Sequence, residues 1–299
     1  MTGTFTAINL ADLVAPDVVD TVDFEAILAQ MLLDLQQRDP AFTALVESDP
    51  AYKILEVAAY REMLIRQRVN EAAKAVMLAF ATGADLDQIA ANYNVQRLVI
   101  DSGDPDAIPP VPPEYESDAD LRRRVQLAPE GYTVAGSQGA YVFHALGADP
   151  LVKDAQAVSP SPGQVTVYVL SRAGNGAAAI DTIDAVDAAL SAETLRPMTD
   201  NVTVQSAAIT EYALVAELTL YPGPDAAVVL QAAEAAALSH VAAQHRMGYD
   251  ITRSGLFAAL HQTGVQNVTI TSPAADIVVA TGEAAYCTSV SITVAGTDV

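Results

Sequence analysis

Residues 193–206 read Glu193-Thr194-Leu195-Arg196-Pro197-Met198-Thr199-Asp200-Asn201-Val202-Thr203-Val204-Gln205-Ser206, and the fold turns on how they are parsed. The pattern predicts a helix ending at Leu195, because Pro197 has no amide hydrogen to give to another helical turn. Thr199, Asp200 and Asn201 supply a turn, and Val202-Thr203-Val204 then alternates as a strand with one buried face does. Upstream, Pro162-Gly163 precedes the strand-like run Gln164–Leu170, and Ala178–Leu190 has helical periodicity between the two strands. Strand, helix and strand in this order make a small α/β unit.

The same period-two pattern extends both ways from this joint. Lys153–Val158 reads as a strand before the unit, and Tyr212–Tyr221 as a strand after it. Ala226–Gln244 and Ser254–Gln262 read as helices, and Val265–Thr271, Asp276–Ala280 and Ala285–Val294 as closing strands. The expected architecture is α+β: an N-terminal long-helix region followed by two tandem α/β units with mainly antiparallel sheets, divided near Ala208–Tyr212. Four regions follow: a helical region at 1–100, a Pro-rich loop with connecting helices at 101–150, a first α/β unit at 151–210 and a second at 211–299.

The helical region is legible from its caps. Asp23 caps a helix whose apolar residues Phe24, Ile27, Leu28, Met31, Leu32 and Leu35 recur at three- and four-residue spacing, and Asp39-Pro40 ends it. Asp49-Pro50 starts a longer helix, expected to reach Ala81, with Ile54, Val57, Leu64, Ile65, Val69, Ala72 and Val76 as its apolar stripe. Two such helices in sequence form a hairpin. A short helix covers Leu86–Tyr93. Ser102–Pro113, rich in Asp, Gly and Pro, is either an ordered extended loop or a flexible linker. Ser117 with Asp120 reads as a capping box for a helix through Leu127, and Ser137 caps Gln138–Leu146.

Composition narrows the function. The chain has 299 residues, 37 acidic against 15 basic, and a formal charge of −22. Such a chain is repelled by phosphate backbones and anionic lipid, so nucleic-acid and membrane binding are not expected. Cys287 is the single cysteine, which excludes an intramolecular disulfide and leaves a thiolate metal site without partners. The N-terminus lacks the basic start and apolar run of a secretory signal, and no uninterrupted apolar run reaches the length of a bilayer span; the expected site of folding is a cytoplasm.

The residues that most resemble chemistry have simpler readings. His240 and His245 are five apart, which turns their side chains ~140° from each other on a helix, whereas a zinc pair needs four. Gly174-Asn175-Gly176 lacks the Lys-Ser/Thr of a phosphate loop and reads as a turn. No Gly-x-Ser-x-Gly elbow occurs, and Trp, common in glycan clefts, is absent. Arg122-Arg123-Arg124 is the one dense basic cluster; local pairing of one arginine with Asp118 or Asp120, with the others solvated, is the simplest reading. No catalytic, metal or cofactor-binding set is expected.

Several phrases, in order and spacing over nearly the whole chain, carry a resemblance. They are Gly83-Ala84-Asp85-Leu86-Asp87-Gln88-Ile89-Ala90 with Asn94-Val95-Gln96-Arg97, then Glu116-Ser117-Asp118 with the Asp120–Arg124 arginines. The Pro162-Gly163 strand, Ala185–Leu190 and the Arg196-Pro197-Met198-Thr199-Asp200 joint follow. Late in the chain come Gly248-Tyr249-Asp250-Ile251 with Ser254, Gly264–Val268 and Ser272-Pro273. Together they resemble the baseplate J family of contractile-tailed bacteriophages, known also from Mu-type phages. The loop Asp101–Pro113 is longer than the family pattern.

The resemblance implies a structural, non-enzymatic wedge protein that joins wedges into a six-fold ring around the central hub and spike. Its implied partners are other wedge proteins, hub and spike proteins and further copies of itself. Its implied place is the virion's tail baseplate, after assembly in the host cytoplasm. A tailocin or another contractile injection system fits equally, and a baseplate-associated wall-degrading hydrolase is the reading from a different class. By the same resemblance the N-terminal helices bundle with a second wedge protein. Phe24, Ile27, Leu28, Met31, Leu35, Ile54, Leu64 and Ile65 are the interface candidates, since the two helix faces hold more apolar surface than one hairpin buries.

Overall fold

The computed structural model describes residues 8–16, 22–43, 45–132, 136–223 and 225–299; the expectations for the first seven residues lie outside this range. The chain divides into two compact units that meet in sequence at Arg97 and Leu98.

The first unit is helical. Helix α1 (Phe24–Arg38) starts behind Asp23, whose carboxylate accepts from the Glu25 and Ala26 amides, and stops at Asp39 before Pro40. Helix α2 (Pro50–Ala75) has 26 residues, roughly 39 Å of rod. It ends six residues before the expected Ala81 because the chain tightens: Met77 donates to Lys74, and Phe80 and Ala81 donate to Met77. Asp49 stands at the N-cap, but its carboxylate turns back to the Val46 amide at 3.0 Å and makes no cap bond. Helix α3 (Gly83–Ala91) closes where Asn94 takes a left-handed φ of 57°, which lets the Val95 amide reach back to the Ala90 carbonyl.

Helices α1 and α2 form the expected hairpin. Its core is Ile27, Leu28 and Ala59, flanked by Phe24, Met31, Leu32, Tyr52, Leu55 and Met63. The face of α2 that meets α1 therefore runs through Tyr52, Leu55, Ala59 and Met63, and the sequence-derived stripe from Ile54 to Val76 lies elsewhere on the rod.

The second unit opens with a two-stranded antiparallel ladder, β1 (Val99–Asp101) with β2 (Glu114–Tyr115). The loop between them is ordered, since Asp104 and Val111 exchange both backbone bonds, at 2.9 and 3.0 Å. Helices α4 (Asp118–Leu127) and α5 (Gln138–Ala148) follow. Each is capped by a serine as predicted: Ser117 accepts from the Asp120 amide and Ser137 from the Ala140 amide.

Strands β3 (Val152–Ser161), β4 (Gln164–Ser171) and β5 (Asn201–Ser206) make the first sheet in that order, with helix α6 (Ile180–Leu190) between β4 and β5. The β3–β4 turn places Pro162 and then Gly163 at φ 77°, the demand of a tight turn with its third residue left-handed. Helix α6 stops at Leu190, as the Ala178–Leu190 periodicity has it, and the helical end expected at Leu195 is instead a set of short turns around Ala192–Arg196. Core residues Val167, Val169, Val186 and Leu190 are fully buried between the sheet and its helices.

The second sheet has the order β7-β6-β8, from β6 (Ala208–Leu220), β7 (Val265–Ser272) and β8 (Glu283–Thr297). Helices α7 (Ala226–Gln244) and α8 (Arg253–Leu260) come between β6 and β7. Leu214, Leu218, Leu256, Leu260 and Ala233 are among its core. Segment Asp276–Ala280 is not a strand; Ile277 makes a single reciprocal pair with Ile251. Among the described residues α7 is the one helix long and apolar enough to cross a bilayer, and it packs Val229, Ala233 and Ala237 into the core beside the sheet.

The α+β expectation holds, with one correction. Neither sheet is mainly antiparallel: each pairs its central strand antiparallel on one side and parallel on the other. A helical crossover returns the chain in its starting direction, so β4–α6–β5 gives a parallel pair. The two sheets also differ in connection order, since the central strand comes second in the first sheet and first in the second. Ala207 alone separates β5 from β6. Its amide donates to Val169 in the first sheet, and the next amide, of Ala208, donates to Gly282 beside the second.

Candidate functional site

Two places stand out. One is the outer surface of α2. Ile54 is 69% exposed and Ile65 63%, with Val57, Leu64, Val69 and Val76 also exposed on the same rod. Residues at three-, four- and seven-residue spacing share a helix face, so these side chains form an apolar stripe left over after the hairpin core has formed. The eight sequence candidates divide accordingly. Ile27 and Leu28 are 4% and 3% exposed and are used by the hairpin itself. Phe24 and Met31 flank the same core, and Leu35 is half-buried one turn further along. Ile54, Leu64 and Ile65 face outward.

The other place is a charged junction where the two sheet modules meet. Asp154, on β3, is 3% exposed. Its Oδ1 accepts from Arg123 Nη2 at 2.5 Å and from the Ala155 amide at 2.8 Å, and its Oδ2 accepts from the Met247 amide at 3.1 Å. One carboxylate thus ties α4, β3 and the segment after α7. Asp120, one turn before Arg123 on α4, accepts from Arg172 Nη1 at 2.6 Å and has Arg246 Nη2 3.7 Å away. The spacing of three puts Asp120 and Arg123 on one side of the helix.

Further contacts complete the seam. Gln156 Oε1 accepts from the Gly282 amide at 2.7 Å, and Asn175 Nδ2 donates to Glu211 at 3.0 Å. Gly282 (φ 81°) lies against the Tyr168 ring. Leu170, Ala207, Met247 and Ala284 make a small apolar core that draws on both modules. His245 is buried; its Nδ1 donates to the Ala285 carbonyl at 2.8 Å, and burial holds its imidazole below the ordinary pKa.

Two of the three arginines, expected to be solvated, are instead paired with carboxylates outside their own helix. Arg123 reaches Asp154, thirty-one residues away, and Arg124 pairs with the buried Glu116 at 2.5 Å. Glu116 also accepts from the Leu98 amide at 3.0 Å, which fixes the start of β1 to α4. Asp120 is taken by Arg172 and Arg246, so the capping box is not reciprocal. Asp154, Arg172 and Arg246 went unpredicted. The one signal for them is scarcity: an arginine just past a strand or helix stands out in a chain with so few cations.

The remaining motifs are structural. Gly174–Gly176 is a turn closed by the Ser171 amide on the Gly176 carbonyl at 2.7 Å. His240 lies beside Gly255 and is separated in role from His245. Among the described residues no group of three or more His, Cys, Asp or Glu side chains is placed to hold a metal.

Comparison with known proteins assigns most of the chain to one family. Residues 47–104 match the Baseplate J-like N-terminal domain, 133–206 the Baseplate J-like central domain and 212–293 the Baseplate J-like protein C-terminal domain. The central match ends at Ser206, just before the Ala207 joint, and the C-terminal match begins at Tyr212 within β6. "Baseplate protein J" of Escherichia phage P2 is 50% identical, over 97% of this chain and 99% of that protein. With all three domains present in order and a relative matched along its full length, the chain belongs to the baseplate J family.

Proposed function

We propose that the chain is a structural subunit of a contractile-tail baseplate, a wedge protein that binds a neighbouring baseplate subunit through the outer face of α2. The observation that carries this is the stripe of exposed Ile54, Val57, Leu64, Ile65 and Val69 on a helix whose opposite side is already packed. Burying one such side chain is worth about 1.5–3 kcal/mol, so several in a row supply enough driving force for a third helix to join the hairpin. Membership of the family and the name of the phage P2 relative support a baseplate setting. In that setting the two sheet modules make the contacts between wedges, in a ring of six around hub and spike, with more than one copy of this chain per wedge. A phage tail and a tailocin present the same geometry to such a subunit.

The test is light-scattering mass on a sizing column, for the chain alone and co-expressed with the product of the next downstream reading frame. A hetero-complex with more than one copy of this chain is expected. Ile54→Asp with Ile65→Asp abolishes that complex while the hairpin keeps its helical circular dichroism, because neither residue belongs to the hairpin core. Leu28→Asp instead disrupts the hairpin itself. An intact complex from the Ile54/Ile65 variant would remove α2 as the docking face.

A further inference from the structure

The junction between the sheet modules holds more positive charge than it uses. Arg123, Lys153, Arg172 and Arg246 gather against two carboxylates, Asp120 and Asp154, in a chain whose net charge is −22. Fifteen basic residues serve the whole sequence, so four at one place are a concentration that the composition does not predict. Their donors are also incompletely met. Arg123 Nη1 is buried with no hydrogen-bond partner. Arg246 stands 3.7 Å from Asp120, beyond hydrogen-bond reach, and its guanidinium makes no closer contact among the described residues. Lys153, half-buried, takes neither a hydrogen bond nor an ion pair among the described residues. Burial, with Arg246 and Arg172 close by, pushes its ammonium below the ordinary value.

Cations that are partly withdrawn from water and not matched by an anion are unfavourable unless something compensates them. An oxyanion compensates the two that solvent reaches, Lys153 and Arg246, which lie close to each other and to Arg172. Guanidinium and ammonium groups bind carboxylate and phosphate through charge-assisted bonds, and an excess of cations over anions sets the sign of the ligand. We propose that Lys153 and Arg246, beside Arg172, form a binding site for an oxyanion of the carboxylate or phosphate class. In an assembled particle that group comes either from free phosphate or from an acidic side chain of a neighbouring chain. The site draws on β3 and the residue after β4 in the first module and on the segment after α7 in the second, so its occupant bridges the two sheet modules. It does not depend on the docking role of α2.

The experiment is thermal unfolding of the full chain at constant ionic strength, with sodium chloride replaced in parallel by inorganic phosphate or by acetate. The expected result is a rise of roughly 3–5 °C over the chloride control in at least one arm. Phosphate acting alone identifies the free ion as the source. Acetate acting, alone or with phosphate, identifies a side-chain carboxylate. Lys153→Met abolishes the anion-dependent increment and, in chloride, melts no lower than the parent, because it removes an uncompensated cation. Arg246→Met serves as a second variant and also loses the increment. Equal melting temperatures in chloride, phosphate and acetate overturn the proposal, as does an increment that survives both substitutions.

Discussion

Asp154→Asn tests whether the charged junction couples the two sheet modules. The change keeps the shape of the side chain but replaces one acceptor oxygen with a donor. Asp154 accepts three hydrogen bonds through two oxygens, so the new amide group necessarily faces a donor on one side, at a cost of about 1–3 kcal/mol. The Arg123 guanidinium also loses its counter-charge. Removing one partner of a fully buried ion pair costs about 3–5 kcal/mol. The Arg123 side chain is 29% exposed, and solvent reduces that part to roughly 1–2 kcal/mol. The expected loss is about 3 kcal/mol. Urea unfolding followed by tyrosine fluorescence measures it in a chain with 11 tyrosines and no tryptophan. Hydrogen exchange separates the modules, reporting on β4 in the first sheet and β6 in the second. The expected result is a common opening energy for these strands in the parent and different ones in the variant. A loss under about 1 kcal/mol with β4 and β6 still opening together would refute the coupling.

Two further expectations concern the same seam. Gly282→Ala places a methyl 2.8 Å from the Tyr168 ring and forces an L-residue to φ 81°, so a loss of about 2–4 kcal/mol is expected in the same urea assay; a neutral result contradicts the close approach. His245 is buried neutral, with its folded pKa below the unfolded value near 6.5. The unfolded chain therefore binds the proton first, and the stability that His245 contributes is complete above pH ~6.5 and lost as the pH falls below it. His245→Gln flattens that part of the pH–stability profile, and an unchanged slope between pH 5 and 7 contradicts the assignment.

Much of the fold was legible because local chemistry sets it. Asp23, Ser117 and Ser137 cap helices where the sequence places them, and Pro162-Gly163 turns β3 into β4. Boundaries failed where tertiary contacts override periodicity. The Ile54–Val76 pattern reads as the apolar stripe of α2, yet the hairpin is built on a second face, Tyr52, Leu55, Ala59 and Met63, because Ala59 lets α1 approach and periodicity does not report which of two apolar faces the partner helix takes. Asp276–Ala280 alternates like a strand but finds a single partner. The parallel pairs depend on crossover geometry, which alternation does not encode. Least legible was the junction: Asp154 meets Arg123 across thirty-one residues and the Met247 amide across ninety-three, and nothing in the local sequence of either marks the meeting.

The one-residue passage from β5 to β6 has a mechanical consequence. Residues 201–220 run almost without interruption through both sheets, and each half is flanked by a parallel neighbour, β4 for the first and β8 for the second. Tension applied along this run acts on those ladders in shear, so their hydrogen bonds resist together and do not open one after another. Ala207 is too short to stretch or to swivel without breaking its bond to Val169. A displacement of one sheet is thus delivered to the other almost undiminished, as through a rigid strut.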